Sequence, residues 1–263
     1  MSSYDAVILD VDGTIVRGER LIPGAVEGLT AIRDADCDRL LFSNNPTRGA
    51  AHYGERLSAH DITVDPHYVL TSATVSAEYL ARTHPDDTLF LVGEPRLRHV
   101  LEGASLSVTD EPAGADVVVG SIDRDLTYDD LQRALVALEA ADAFYGTDPD
   151  TTIPTEGGMS PGSGAIIASL EAIAGRKVDT ILGKPSAIAA DAALDRLGSE
   201  PERTLIVGDR LNTDVELGRR AGMGTALVTT GVMGRADLAD VEEEPTYVLD
   251  SLAELEGVLA GER

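Results

Sequence analysis

The chain has 263 residues, with 46 Asp and Glu against 21 Lys and Arg and a formal net charge of −25. This length can bury a sizeable core as one large domain or two smaller ones, while a surface so acidic excludes nucleic acid and anionic membrane as general partners. The single cysteine, Cys37, rules out an intramolecular disulfide and any cysteine metal cluster. With no apolar run of about 18 residues and no signal-type start, the expectation is a soluble, cytoplasmic protein.

Residues 6–9 read as a strand buried on both faces, and the strand runs straight into Asp10 and Asp12, followed by Gly13 and Thr14. Open α/β sheets place their chemistry at such strand ends, although Asp-Gly is also an ordinary turn dipeptide. Residues 25–35 have helical periodicity. A second strand, 39–42, ends in Ser43, Asn44, Asn45 and Pro46 ahead of a further helix. The hydroxyl and amides can donate to phosphate oxygens, and the dipole of that helix favours an anion at its N-terminus; alone, the segment is simply a good turn.

The 80–85 segment is hinge-like. Beyond it, strands are predicted over 88–92, 117–120 and 143–146, and helices over 94–103, 128–140 and 164–174. Lys184 follows an apolar run between Gly183 and Pro185, a setting that fixes where its ammonium points. Lys177 is the only other lysine in the chain. A helix over 187–197 leads to an apolar strand, 204–208, that breaks into Asp209 with Asp214 five residues on, and a last helix is expected over 252–259.

If the first strand and the 204–208 strand are neighbours in a parallel sheet, Asp10, Asp12 and Asp209 converge at one edge with Asp214 just behind. A set of hard oxygens without His or Cys suits magnesium, and carboxylates so crowded would repel one another without a cation. Lys184 has the compact point charge that serves phosphate or steadies a carboxylate.

In order, the chain reads D-V-D-G-T, S-N-N, G-K-P and G-D-R-L-N-T-D, each after an apolar strand. This series resembles the haloacid dehalogenase superfamily of aspartate-nucleophile phosphatases. It is closest to the NagD-like branch, which includes 4-nitrophenyl phosphatases and several sugar-phosphate and phosphoglycolate phosphatases. Val118-Val-Gly120 with Leu126-Thr-Tyr128, Thr147-Asp-Pro-Asp150, Pro161-Gly-Ser-Gly164 and Leu227-Val-Thr-Thr-Gly231 are similar to that branch in the same order, so the resemblance covers nearly the whole chain. Two departures stand out: Asp148 where the branch usually reads Asn, and Pro46 where a small hydroxyl residue is usual.

The resemblance implies an α/β fold: a Rossmann-like, doubly wound parallel-sheet core from residues 1–80 and 181–263, with an inserted α/β cap of the second type over 81–180. It implies Asp10 as nucleophile and Asp12 as general acid and base. Magnesium would be held by the Asp10 side chain, the Asp12 main-chain carbonyl and Asp209, with Asp214 one step back. Ser43, Asn44 and Lys184 would hold the phosphoryl group, with Asn45 facing the leaving group. In the cap, Asp123, Arg124 and Asp148 are candidates for substrate discrimination.

The implied reaction is magnesium-dependent hydrolysis of a small phosphate ester, of sugar phosphate, phosphoglycolate or nucleotide type. The oligomeric state is open; relatives with such caps often pair through them as homodimers. Two alternatives are a haloacid-type dehalogenase, which would have no work for Asp12 or magnesium, and a non-enzymatic phospho-accepting signalling module, a type roughly half this length that usually lacks an equivalent of Asp12. Scarce lysine, with acids scattered through Asp36, Asp38, Asp86, Asp87, Asp129, Asp130 and Glu242 to Glu244, also resembles proteins of salt-loving archaea.

Overall fold

A computed structural model describes residues 4–155, 157–232, 234–238 and 244–262. Glu242 and Glu243 of the acidic run lie outside the described residues. The chain divides into two compact units: Met1–Ser43, Ala50–Leu70 and Ala189–Arg263 in the first, Asn44–Gly49 and Thr71–Ile188 in the second.

The first unit is built on a six-stranded sheet in the order Tyr247–Leu249, Gly224–Val228, Thr204–Gly208, Ala6–Leu9, Asp38–Ser43, Val69–Thr71. The pairings from Tyr247–Leu249 through Asp38–Ser43 are parallel. Strand Ala6–Leu9 is central and fully buried, as its unbroken apolar run requires. Val7 and Leu9 pack into one core with Leu205, Val207, Leu41 and the helix residues Leu29 and Ile32. From this strand the chain moves outward on one side and returns on the other, so the order reverses between Ala6–Leu9 and Thr204–Gly208. Such switch points leave a crevice at the carboxyl ends of the strands.

The second unit has its own five-stranded parallel sheet, ordered Thr180–Ile181, Ala143–Gly146, Val117–Gly120, Thr88–Val92, Ser107–Thr109. Apolar clusters cover both faces, one with Leu89, Val117 and Val119, the other with Phe90, Val118 and Phe144. An antiparallel pair, Thr152–Thr155 with Gly158–Pro161, stands apart from this sheet.

Several predicted elements shift at their ends for local reasons. The helix expected from Glu94 starts at Pro95, with Glu94 extended as its cap; proline suits the first turn, where its missing N–H costs nothing. Thr127 and Asp130 form a reciprocal capping box that fixes the start of helix Tyr128–Ala140. The 252–259 helix divides into a 3₁₀ turn, Leu252–Glu254, and a short α-helix, Leu255–Leu259. Residues 80–83, within the hinge-like segment, form the last turn of a helix, Ser72–Thr83, that opens on a Thr71–Thr74 capping box. Among the described residues, no helix is long and apolar enough to cross a membrane.

Candidate active site

The register of the first sheet sets the position of the acids. Leu9 pairs with Val207, and the Asp10 amide donates to the Val207 carbonyl at 2.9 Å. Asp10 and Asp209 therefore leave adjacent strands at the same edge. Asp214 arrives by a different route: after Arg210 the chain forms a π-helical turn, Leu211–Val215, before helix Glu216–Ala221. Asp214 Oδ2 accepts from the Arg210 amide at 3.2 Å and from Thr213 Oγ1 at 3.5 Å, which folds its carboxylate back toward the strand end. Asp10, Asp209 and Asp214 are all buried, and each offers a carboxylate oxygen within 4.8 Å of the others.

Backbone close to the cluster has no room for side chains. Gly13 has φ +100°, and a Cβ there would lie 2.1 Å from Asp209 Oδ2; a Cβ on Gly231 would lie 1.8 Å from the same atom. The Val232 amide donates to Asp209 Oδ2 at 2.7 Å, and Thr14 Oγ1 to Asp10 Oδ2 at 3.4 Å. Three buried carboxylates this close repel one another unless a cation or protons compensate. An oxygen-only donor set with short reach fits a small hard divalent ion such as magnesium.

Asp12 faces elsewhere. Its carboxylate is half exposed and meets Arg56 Nη1 at 2.7 Å, the Tyr53 hydroxyl at 3.3 Å and Ser43 Oγ at 3.5 Å. The Tyr53 hydroxyl also donates to Ser43 Oγ at 2.8 Å. Burial pushes the Tyr53 phenol far above its ordinary range, and the negative charge of Asp12 adds to the effect, so Tyr53 keeps its proton. Asp214, expected one step behind the metal, offers a carboxylate oxygen within 4.8 Å of those of Asp10 and Asp209.

In the second unit, Asn44 and Lys184 are clamped together. The Lys184 amide donates to Asn44 Oδ1 at 2.9 Å, and Asn44 Nδ2 donates to the Lys184 carbonyl at 3.0 Å. Ser72 Oγ holds the Asn44 carbonyl at 2.8 Å, and the Gly183 amide donates to the Thr147 carbonyl at 2.8 Å. The Lys184 side chain is only 1% exposed. Asn45 Oδ1 accepts from the Thr47 amide at 2.9 Å and its hydroxyl at 3.0 Å, closing the turn over Pro46.

The three cap candidates lie in loops at the carboxyl edge of the second sheet. Arg124 pairs with Glu94, and Asp123 caps a turn by accepting from the Asp125 amide at 3.0 Å. Asp148 is buried beside Thr147, whose hydroxyl donates to it at 3.0 Å, and accepts from the Asp150 amide at 3.3 Å. Burial, and then the charge of Asp150, push the Asp148 carboxyl up to about 7.

Sequence reasoning named the acids, Ser43, Asn44, Asn45 and Lys184 but not Thr14, Tyr53 or Arg56. Thr14 closes the D-V-D-G-T motif. Tyr53 and Arg56 are three apart on helix Ala50–Ser58 and so share a face. Their spacing is visible in the sequence, but nothing there says that this face meets Asp12.

A parallel sheet with carboxylates gathered at its switch point places them where open α/β sheets bind their ligands. Residues 7–107 match the haloacid dehalogenase-like hydrolase family, and residues 181–255 match the HAD-hydrolase-like family. Over 254 residues the chain is 34% identical to the 5'-nucleotidase YutF of Bacillus subtilis, covering 97% of this chain and 98% of that one. It is also 34% identical over 260 residues to the acid sugar phosphatase of Staphylococcus epidermidis, covering 97% and 100%.

Among solved structures, the 4-nitrophenylphosphatase of Thermotoga maritima is similar with a TM-score of 0.91 and 34% identity, over 98% of both chains. NagD from E. coli K-12 gives 0.86 and 31%, over 97% of this chain and 98% of that one. The chain belongs to the haloacid dehalogenase-like hydrolases, in their NagD-like branch.

Proposed function

We propose that this phosphatase of phosphoric monoesters is a magnesium-dependent enzyme that hydrolyses small phosphate esters through an aspartyl-phosphate on Asp10. The observation that carries this reading is the buried Asp10, Asp209 and Asp214 cluster at the sheet's switch point. Asp10 and Asp209, with the Asp12 main-chain carbonyl, would hold the ion, and Asp214 would stand beside them in the same buried group. When bound, magnesium neutralises charge on the phosphoryl oxygens.

The residues then divide the work. The Asp10 carboxylate attacks phosphorus, and the bond from phosphorus to the ester oxygen breaks. Asp12 gives its proton to the departing oxygen, then takes one from the water that attacks the acyl-phosphate, releasing inorganic phosphate and restoring Asp10. Ser43, Asn44 and Lys184 are assigned to the phosphoryl group, and Asn45 to the leaving-group side. The reciprocal Asn44 and Lys184 bonds support this by fixing the backbone from which the ammonium projects.

The inserted segment, over 81–180, is read as the cap that selects substrate and excludes water during reaction. Names such as 5'-nucleotidase and acid sugar phosphatase among the relatives direct the search to nucleotides and sugar phosphates. The test is a phosphatase screen of purified protein over nucleoside monophosphates, sugar phosphates and phosphoglycolate, with magnesium and in high salt. Turnover of one ester class well above the others, lost on chelation, is the expected result. Phosphate release that is indifferent to chelation overturns the magnesium reading.

A further inference from the structure

We propose that Arg56, supported by Tyr53, is a positioning residue for Asp12, holding its carboxylate in the orientation from which it exchanges protons with the leaving group and with water. This rests on the acid and base role given to Asp12 above. Asp12 lies just beyond a rigid strand, but its own carboxylate is 48% exposed and stands apart from the buried cluster. Such a side chain would sample several rotamers if nothing restrained it. Here one oxygen, Oδ1, meets Arg56 Nη1 at 2.7 Å, and the other, Oδ2, faces the Tyr53 and Ser43 hydroxyls. The guanidinium therefore holds Oδ1, and Oδ2 faces a coupled hydroxyl pair in which the single Tyr53 proton is shared between Ser43 Oγ and Asp12.

The second end of the guanidinium reaches the loop that follows Asp12. Arg56 Nη2 donates to the Gly18 carbonyl, in the turn between the short strands Val16–Arg17 and Arg20–Leu21. One side chain thus ties the carboxylate at position 12 to the hairpin six residues later. A lysine could not do this as well, because a single ammonium lacks the planar fork that binds two acceptors in fixed directions.

The energetics of the site also point away from a purely structural role. The Arg56 side chain is only 10% exposed, and its Nε is buried with no hydrogen-bond partner among the described residues. A buried N–H without an acceptor weakens a fold, and an apolar side chain could cover the same surface without that penalty. Arg56 is explained by what its two Nη atoms hold.

The test compares kcat/KM, which reports phosphoryl transfer to Asp10, on two esters: 4-nitrophenyl phosphate, whose leaving oxygen needs little protonation, and glycerol phosphate, whose leaving oxygen needs a proton. Arg56→Met should lower kcat/KM on glycerol phosphate by roughly tenfold or more, a part of what a general acid supplies, and on the nitrophenyl ester by no more than about threefold. Arg56→Lys should fall between wild type and Arg56→Met, and Arg56→Met should add little to Asp12→Asn.

Equal losses on both esters overturn the proposal, because a structural defect does not distinguish leaving groups. If Asp12→Asn itself shows no preference between esters, the acid role of Asp12 fails and takes the proposal with it; a selective Asp12→Asn with a non-selective Arg56→Met overturns the proposal alone. Should Arg56→Met not fold, Tyr53→Phe, which keeps the volume and removes one donor, must show the same ester-selective loss in smaller measure. Its absence also overturns the proposal.

Discussion

Asp10 and Asp209 stand side by side although 198 residues separate them in the chain, because their strands are hydrogen-bonded neighbours with Leu9 opposite Val207. Each follows the last residues of a buried parallel strand, so the sheet, and not a flexible loop, holds the carboxylates at their spacing. Asp214 completes the group from the π-helical turn that begins two residues after Asp209.

The first prediction concerns the ion. Three buried carboxylates destabilise the native state until a cation enters, and a ligand that binds only the folded state raises its melting temperature with concentration. Adding magnesium to metal-stripped protein should raise the Tm, and Asp209→Asn should blunt the rise. Calcium, with longer and looser coordination, should support little turnover. Gly13→Ala should act at the same place, since its Cβ would fall on the Asp209 carboxylate and φ is +100°. Displacing that group by about an ångström should cost roughly 100-fold in kcat. Scanning calorimetry with and without magnesium, alongside kinetics, checks each part; an unchanged Gly13→Ala enzyme would remove the crowding argument.

The second concerns Asp148, the acid that stands where the branch usually has Asn. Its folded-state carboxyl is raised to about 7 by burial and by Asp150. In the unfolded chain Asp148 ionises near pH 4, so between roughly pH 4 and 7 the folded state carries a proton that the unfolded state has lost. The contribution of Asp148 to stability is therefore complete at low pH and declines as pH rises through this window. A protonated acid has the shape of an amide, so Asp148→Asn should preserve the packing and be the more stable form above neutrality. Denaturant midpoints for both proteins between pH 5 and 8.5 should diverge as pH rises. Parallel curves would mean that Asp148 is not a buried neutral acid.

The third concerns salt. With 46 acidic and 21 basic residues, repulsion across the surface favours expansion of the chain. Screening shortens the Debye length from roughly 10 Å at 0.1 M to about 3 Å at 1 M, so molar potassium chloride should raise the Tm substantially. A Tm that does not move between dilute buffer and molar salt would exclude adaptation to salt.

What could be read from the sequence follows from the length scale of each signal. Strand Ala6–Leu9 and helix Ala187–Leu197 were predicted at the bounds they have, because a continuous apolar run or a regular helical period is carried by the residues themselves. The acids at positions 10, 12, 209 and 214 were visible because they terminate such runs. Which carboxylates meet was less legible. Asp214 reaches the cluster through a π-helical turn that no periodicity announces, and Asp12 turns toward Arg56 because helix Ala50–Ser58 packs there. Asn44 and Lys184, 140 residues apart, find each other through a side-chain amide and a backbone, and local spacing carries no trace of that contact.

The last prediction separates the two acids of the first motif by the steps they serve. Asp10→Asn removes the nucleophile and should abolish both turnover and covalent phosphorylation, while keeping the side chain's size beside Thr14. Asp12→Asn keeps the nucleophile, and turnover should fall by the ~10²–10⁴-fold attributed to general acid–base catalysis. With 4-nitrophenyl phosphate, whose leaving group departs without much help, Asp12→Asn should still be phosphorylated on Asp10 but should hydrolyse the intermediate slowly, because the water has lost its base. Intact-mass measurement after short exposure should then show one added phosphoryl group on the Asp12 variant and none on the Asp10 variant. Wild-type protein that holds phosphate on Asp10 for minutes would indicate a phospho-accepting module in place of a turnover enzyme. An Asp12 variant with wild-type turnover would remove that residue from the chemistry and leave its bonds to Arg56, Tyr53 and Ser43 as structure alone.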